Sequence, residues 1–353
     1  MNSSAAIYLG NTVIRWSPLI ITLGILTALA MTLALYKPNN RSTAAVWAFF
    51  PIEFILAVVL CRLFHWYFNM EQYAKTFGES TLKTLINAFT DYSSGSFCMP
   101  GMIIAAIPAA GITAATGLVS DRGRMLDYAA PGLCITAAFI RLSAFFNQSC
   151  RGKRPIEAKL LQRLPVSVAV TDSAGNSTYR LAVFLIEFIL LAGGLVVLLR
   201  FFAKRRTLQM YEPCRSTGNV WKIFLVLFSA VEIVTDSLRT DSPLMHFTIL
   251  TKLNAYSAFI SFAQVCAVIF LICTFAYYCR CSAASLGFRW QHGVAIGLFA
   301  ASLAGVGYFG EYSIQRYGSV VSGYIIMIIS LVVICLLIYM LYRSCAPEEE
   351  YYD

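Results

Sequence analysis

Five ionisable side chains, Glu53, Arg141, Glu187, Lys222 and Glu232, stand inside runs that are otherwise long and apolar. In hydrocarbon an ionised group costs about 3 kcal/mol or more unless it is paired, hydrated or engaged with a substrate, so each is a candidate for one of those three roles. Pairing is the plainest: Arg141 with Glu187 or with Glu232 would form a buried ion pair that positions helices. Arg141 stands out for its setting. Residues 127–153 read DYAAPGLCITAAFIRLSAFFNQSCRGK, with Asp127 at the start, Pro131 near the first turn, and Asn147 six residues after the Arg at the helix exit. Gly152 and the basic Lys153 follow. The eleven Cys include no C-x-x-C pair and fall mostly inside or at the ends of apolar runs, where they act as small core hydrophobes. Cys279 and Cys281 flank Arg280 with no His or carboxylate at ligand spacing, so neither a metal nor any other cofactor is expected.

The elements that must carry these residues are membrane helices. The chain has 353 residues, 58% hydrophobic and 13% charged, against about 25% charged in a soluble domain. Nine apolar runs, at 18–36, 43–61, 96–118, 128–146, 181–199, 219–235, 255–278, 293–310 and 319–342, each approach the roughly 20 residues that a bilayer crossing needs. The expected fold is therefore all-α and polytopic, with about nine transmembrane helices. The weakest run is 219–235, where Lys222 and Glu232 leave a short apolar centre that needs shelter from neighbours. The first run lacks a small-x-small exit and reads as a retained helix rather than a cleaved signal. A large water-soluble domain is excluded. The net charge of +9 has no basic stripe interleaved with aromatics, so it points to lipid headgroups or an acidic substrate and not to nucleic acid. No repeat pairs the two halves, which argues against a secondary transporter.

Between the second and third runs, Phe77, Leu82, Leu85, Ile86 and Phe89 recur at mostly helical spacing among polar residues, the pattern of an interfacial amphipathic arm. After the fourth run, VSVAVTDSAGNSTYR alternates around a Gly-Asn turn and predicts a small hairpin outside the membrane. The cluster RFFAKRR at 200–206 directly follows the fifth run and is assigned to the inner side. With nine crossings the N-terminus is then outside and the acidic tail inside. The basic loop CRGKRPIEAKLLQR falls outside, where it calls for an anionic partner.

The 127–153 segment resembles the signature of the prolipoprotein diacylglyceryl transferases, with Asp127, Ala130, Pro131, Gly132, Arg141, Asn147, Gly152 and Lys153 on the pattern. LGNTVIRWSPLIITLGI (9–25), CRLFHWYF (61–68), SLRTDSP (237–243) and LTKLNAYS (250–257) resemble further family segments in the same order. The resemblance spans residues 9–278. It implies a seven-helix transferase-like core over 1–280, beyond which the apolar runs predict two additional helices over 281–345 and the charge-based orientation an acidic cytoplasmic tail over 346–353. The chain departs from the pattern at Ser17, where the family has Tyr, and in SFCMPGM, which lacks the family His. RLAV (180–183) stands where the family has Gln-Leu-Tyr-Glu, and Glu232 aligns with a family Arg, while Asp236 and Arg239 keep the acid and Arg that follow.

The resemblance implies an enzyme of the bacterial plasma membrane that moves a diacylglyceryl group from phosphatidylglycerol to the lipobox Cys of a prolipoprotein signal-peptide segment. Its implied partners are phosphatidylglycerol, that segment and membrane lipid. The leaving phosphate needs cationic donors, and a forked guanidinium suits it best. Arg141 is the first candidate, Arg239 the second, with Arg62 and Arg151 at headgroup level. Asn147 and Asp127 would orient. With the family His absent, His246 and Glu232 are the candidate bases for the attacking thiol. His65 and His292 read as interfacial. The alternatives are transfer to another acceptor and a non-catalytic lipid-binding or assembly protein.

Overall fold

The computed structural model describes residues 5–9, 12–39, 42–68, 81–90, 99–147, 149–171, 177–209, 217–240, 260–314 and 320–345. Among these, seven helices are long and apolar enough to cross a membrane. The chain is an all-α multi-pass membrane protein. Each of the nine apolar runs forms a helix, but two fall short of that standard: Met99–Ala115 has 17 residues, and Asn219–Leu238 carries Lys222, Glu232 and Asp236.

The chain divides into two compact units. The first comprises Met1–Phe224 with Leu238–Asp241, the second Leu225–Ser237 with Ser242–Asp353. The first opens with the antiparallel hairpin β1 (Ala5–Leu9) and β2 (Thr12–Arg15), which leads into α1 (Trp16–Tyr36). It continues through α2 (Ala44–Phe68), α3 (Thr81–Thr90), α4 (Met99–Ala115), α5 (Arg122–Asn147), the short α6 (Lys159–Gln162), β3 (Ser167–Thr171), β4 (Ser177–Leu181) and α7 (Val183–Gln209). Its last element, α8 (Asn219–Leu238), runs on into the second unit.

The centre of the first unit is α5, packed between α1 and α7. Both neighbours run antiparallel to it. Trp16 meets Phe146 at one end of α1 and Tyr36 meets Tyr128 at the other. Against α7, Phe145 meets Phe184 and Tyr128 meets Phe202. Membrane helices associate by close packing rather than by hydrophobic exclusion, which favours small residues at the contact. At Gly132 a Cβ would lie 2.6 Å from Thr32 Oγ1 and 3.1 Å from the Ala28 carbonyl oxygen, so glycine sets the approach of α1 to α5. Only 22% of the most apolar stretch of α1 is buried in the protein, against 67% for α5. The outer helix therefore leaves an apolar face, including Leu23 and Leu26, that hydrocarbon must cover.

The predicted hairpin is present as β3 and β4, in the register Ser167↔Leu181 to Thr171↔Ser177. Its Gly-Asn turn lies outside the described residues. Beside it runs an extended segment that the sequence reading missed. Gly152 N–H donates to Leu181 O at 2.9 Å and Ile156 N–H to Tyr179 O at 2.7 Å, while on the other edge Lys153 N–H donates to Leu238 O at 2.9 Å and Thr240 N–H to Arg151 O at 3.0 Å. Residues 151–156 thus form the middle of a small antiparallel platform at the end of the bundle where α5 exits and α7 begins. Of the amphipathic arm, α3 lies within the described residues, with Leu82 and Ile86 exposed. Phe77 does not.

In the second unit α9 (Phe262–Leu286) begins with a capping box, Ser261 Oγ accepting from Gln264 N–H and Gln264 Oε1 accepting from Ser261 N–H. It packs with α10 (Trp290–Ala304), a π-helical continuation (Gly305–Tyr312) and α11 (Val320–Cys345). Val226 and Ile233 of α8 share one core with Leu271, Phe299, Met327 and Leu331. His292 is buried, accepts from Arg289 N–H at Nδ1 and bonds Ser282 Oγ through Nε2.

Candidate functional site

Arg141 lies on α5 six residues before its end, so it sits about 9 Å below the helix exit. Glu187 comes four residues after Val183 opens α7, on the face turned to α5. Because the two helices run antiparallel, these offsets bring the side chains to one level. Arg141 Nε and Glu187 Oε2 are 2.9 Å apart, with the side chains 6% and 0% exposed. This is the Glu187 alternative of the two pairings read from the sequence. Arg141 Nη1 also donates to Cys150 Sγ at 3.7 Å. Cys150 reaches that position through a left-handed backbone, φ 54°, which a non-glycine residue adopts at a cost of about 1–2 kcal/mol. The turn reverses the chain from the helix exit into the platform.

Asn147 closes the same end. Its Nδ2 donates to Ser17 Oγ at 2.7 Å, which ties the exit of α5 to the first turn of α1. Ser17 is 3% exposed, and it is the position where the chain departs from the Tyr of the signature.

Four further arginines, Arg151, Arg154, Arg180 and Arg239, lie on the platform. Backbone bridges pair Arg239 with Gly152 on one edge of the 151–156 segment and Arg180 with Pro155 on the other. Arg180 Nη1 approaches the Gly152 carbonyl at 3.5 Å. Arg151 is partly desolvated, and this burial, together with the like charge of Arg180, holds its pKa below the usual arginine value. Gly152 is required here: a Cβ would fall 2.8 Å from Leu181 Cβ. Sequence reasoning passed over Arg180 as a site residue. Its signal was the strand alternation that sets β4 beside the basic loop.

Asp127 belongs to the opposite end. Fourteen residues before Arg141, it lies about 21 Å away along the helix. Its Oδ2 accepts from Gly218 N–H at 2.7 Å and its Oδ1 from Trp221 N–H at 3.0 Å, so it caps the start of α8 from a neighbouring helix. Gly218, at φ +85°, supplies the turn that exposes those amides. The helix expected to start at Asp127 begins at Arg122, where Asp121 accepts from Gly123 N–H at 3.1 Å. Pro131 is accordingly an interior residue. The hydrogen bond from Thr217 holds the Asp121 carboxyl below its usual range, against the opposing effect of burial, with the Arg124 and Gly123 amides and the Arg122 charge assisting.

Arg62 is 2% exposed in α2, which packs against α4. Glu53 is buried in the same helix. Lys222 reaches the Thr217 carbonyl and Asn219 Oδ1, both at 3.4 Å, in the first turn of α8. Glu232 is buried in the second unit, on the part of α8 that also carries Asp236, which accepts from Ser261 Oγ. His246 lies outside the described residues. No group of three or more His, Cys, Asp or Glu among the described residues is arranged to hold a metal.

Comparison with known proteins bears on residues 4–280. Residues 4–280 match the family described as Prolipoprotein diacylglyceryl transferase. The phosphatidylglycerol–prolipoprotein diacylglyceryl transferase of Streptococcus pneumoniae (strain JJA) is 27% identical over 249 residues, covering 69% of this chain and 85% of the relative. The protein of the same name from strain Hungary19A-6 is 27% identical over 247 residues, covering 69% and 84%.

Proposed function

The chain belongs to the prolipoprotein diacylglyceryl transferase family, and from that premise we propose that it transfers a diacylglyceryl group from phosphatidylglycerol to the lipobox Cys thiol of a preprolipoprotein in the bacterial plasma membrane. In that reaction a bond forms between the thiol sulfur and the glyceryl carbon while the carbon–oxygen bond to phosphate breaks. Glycerol phosphate leaves, and the thiol proton ends on the departing phosphate.

Arg141 carries the reading. Glu187 holds its Nε edge and Cys150 contacts Nη1, so the guanidinium is oriented before any ligand arrives. A preorganised fork in a low-dielectric setting stabilises charge that develops on a leaving phosphate without reorganising at the moment of reaction. Arg239 and Arg151 lie at the platform, where the headgroup would sit, and Arg62 is a further phosphate donor. Asn147 fixes the entrance through Ser17. Glu232 and His246 remain the candidate bases, and Asp127 supports the scaffold by capping α8. In this reading residues 1–280 are the transferase-like core, 281–345 two added helices and 346–353 a cytoplasmic tail.

A second reading is favoured by the same ion pair. Glu187 satisfies Arg141 without any lipid, which is what a non-catalytic lipid-binding or assembly protein would need, and a relative acting on another acceptor would keep the same pair as well. The purified protein in phosphatidylglycerol liposomes, given a lipobox peptide, separates these. Mass spectrometry should find the peptide heavier by a diacylglyceryl group. Co-purified phosphatidylglycerol with no product on any thiol or hydroxyl acceptor would favour the non-catalytic reading, and product on a different acceptor would favour the other.

A further inference from the structure

The platform brings together two cations that the sequence separates by 29 positions. Arg151 lies in the extended segment 151–156 and Arg180 in β4, which is hydrogen-bonded to that segment through Gly152 N–H to Leu181 O and Ile156 N–H to Tyr179 O. Like charges placed side by side and partly desolvated repel, and among the described residues no carboxylate is paired with either arginine. Arg180 spends one Nη on the Gly152 carbonyl at 3.5 Å, while its Nε is shielded from solvent and has no hydrogen-bond acceptor among the described residues. Two guanidinium groups fixed by strand register, with donors left over, form a receptor for an anion with several oxygens. A strand platform sets their spacing more firmly than two surface side chains on a mobile loop would.

We infer that Arg151 and Arg180 form a phosphate-binding site on the platform, separate from Arg141, that takes the phosphate of a glycerophosphate group. This deepens the transferase reading and rests on it for the choice of ligand. The source is either the headgroup of an anionic phospholipid or the free glycerol phosphate released by transfer. Because phosphatidylglycerol has one phosphate, the site would hold a lipid phosphate before it reaches Arg141, or the released glycerol phosphate until it dissociates. Its depth suits that role: Arg151 and Arg180 are partly exposed, whereas Arg141 is buried.

The test uses the full chain in nanodiscs. Glycerol phosphate and inorganic phosphate are titrated in neutral phosphatidylcholine discs, followed by thermal shift and calorimetry, and phosphatidylglycerol discs give the lipid arm. Arg180→Gln and Arg151→Gln should each weaken the anion that occupies the site about tenfold or more, and the double variant should abolish its binding. Arg163→Gln removes an exposed cation from the same loop and should change binding less than twofold. Loss confined to the free-phosphate arm identifies a product site, and loss confined to the lipid arm a headgroup site. Equal weakening by Arg163→Gln would replace the site with a general cationic field and overturn the inference, as would unchanged binding in the double variant. Because binding is read without turnover, the two ideas fail separately. A parent that binds phosphate through these arginines but transfers nothing sinks the transferase reading alone, and a parent that transfers lipid with binding indifferent to both arginines sinks this inference alone.

Discussion

Arg141 and Glu187 are mutually dependent. Removing one partner of a buried pair strands the other charge, at a cost of about 3–5 kcal/mol. Glu187→Gln should therefore lower thermal stability and, by releasing the Nε edge of Arg141, reduce turnover more than it reduces phosphatidylglycerol binding. Equal losses of binding and turnover in the folded fraction would mean that Glu187 acts only as scaffold. Asp127 belongs to a different account. Asp127→Ala leaves two amides at the start of α8 without their acceptor, and the expected loss is about 1–2 kcal/mol of stability by thermal unfolding. A folded Asp127→Ala protein that fails to bind phosphatidylglycerol would return Asp127 to the site. Asp121 sets a pH dependence. Its folded-state pKa lies below the ordinary carboxylate value, so its contribution is present above about pH 4 and is lost as the pH falls through the lower folded-state value. Melting temperature should drop over that acid window, and Asp121→Asn should flatten the drop.

Among the elements, the helices were legible because apolar runs of bilayer length leave little choice, and the β3–β4 hairpin because its residues alternate. The helix start at Asp121 was not read, since Asp127 is also an acid ahead of an apolar run; its role as a cap for α8 depends on a contact 91 residues away in sequence. Residues 151–156 were equally obscure. CRGKRPI has no alternation and contains Pro155, so it reads as a basic loop, and only bridges on both sides extend it into the platform. The requirement for glycine at 152 follows from that pairing. Gly152→Ala should disturb the platform through its contact with Leu181 and weaken phosphate binding, with little change in helix content by circular dichroism. Unaltered phosphate binding in this variant would show that the platform tolerates the extra carbon.

At the scale of the whole chain, the helices beyond the family match are not loosely appended. Tyr324 Oη and Ser237 Oγ are 3.0 Å apart, and α9, α10 and α11 share a core with the 225–237 part of α8. Truncation before Trp290 should therefore destabilise α8, not merely shorten the protein, and should lower expression of the 1–289 fragment. The topology proposed from RFFAKRR puts the N-terminus outside and both residue 206 and the tail inside. Reporter fusions after Arg206 and after Asp353 should give inside signals, and an outside signal at either would overturn that topology. On the proposed function, the buried Arg141 serves lipid transfer onto prolipoproteins. The most direct test is complementation of a bacterium depleted of its own diacylglyceryl transferase, with the parent and with Arg141→Lys, which keeps the charge but loses the fork. Rescue by the parent and not by an equally abundant Arg141→Lys protein is the expected result; no rescue by the parent, or equal rescue by both, would contradict it.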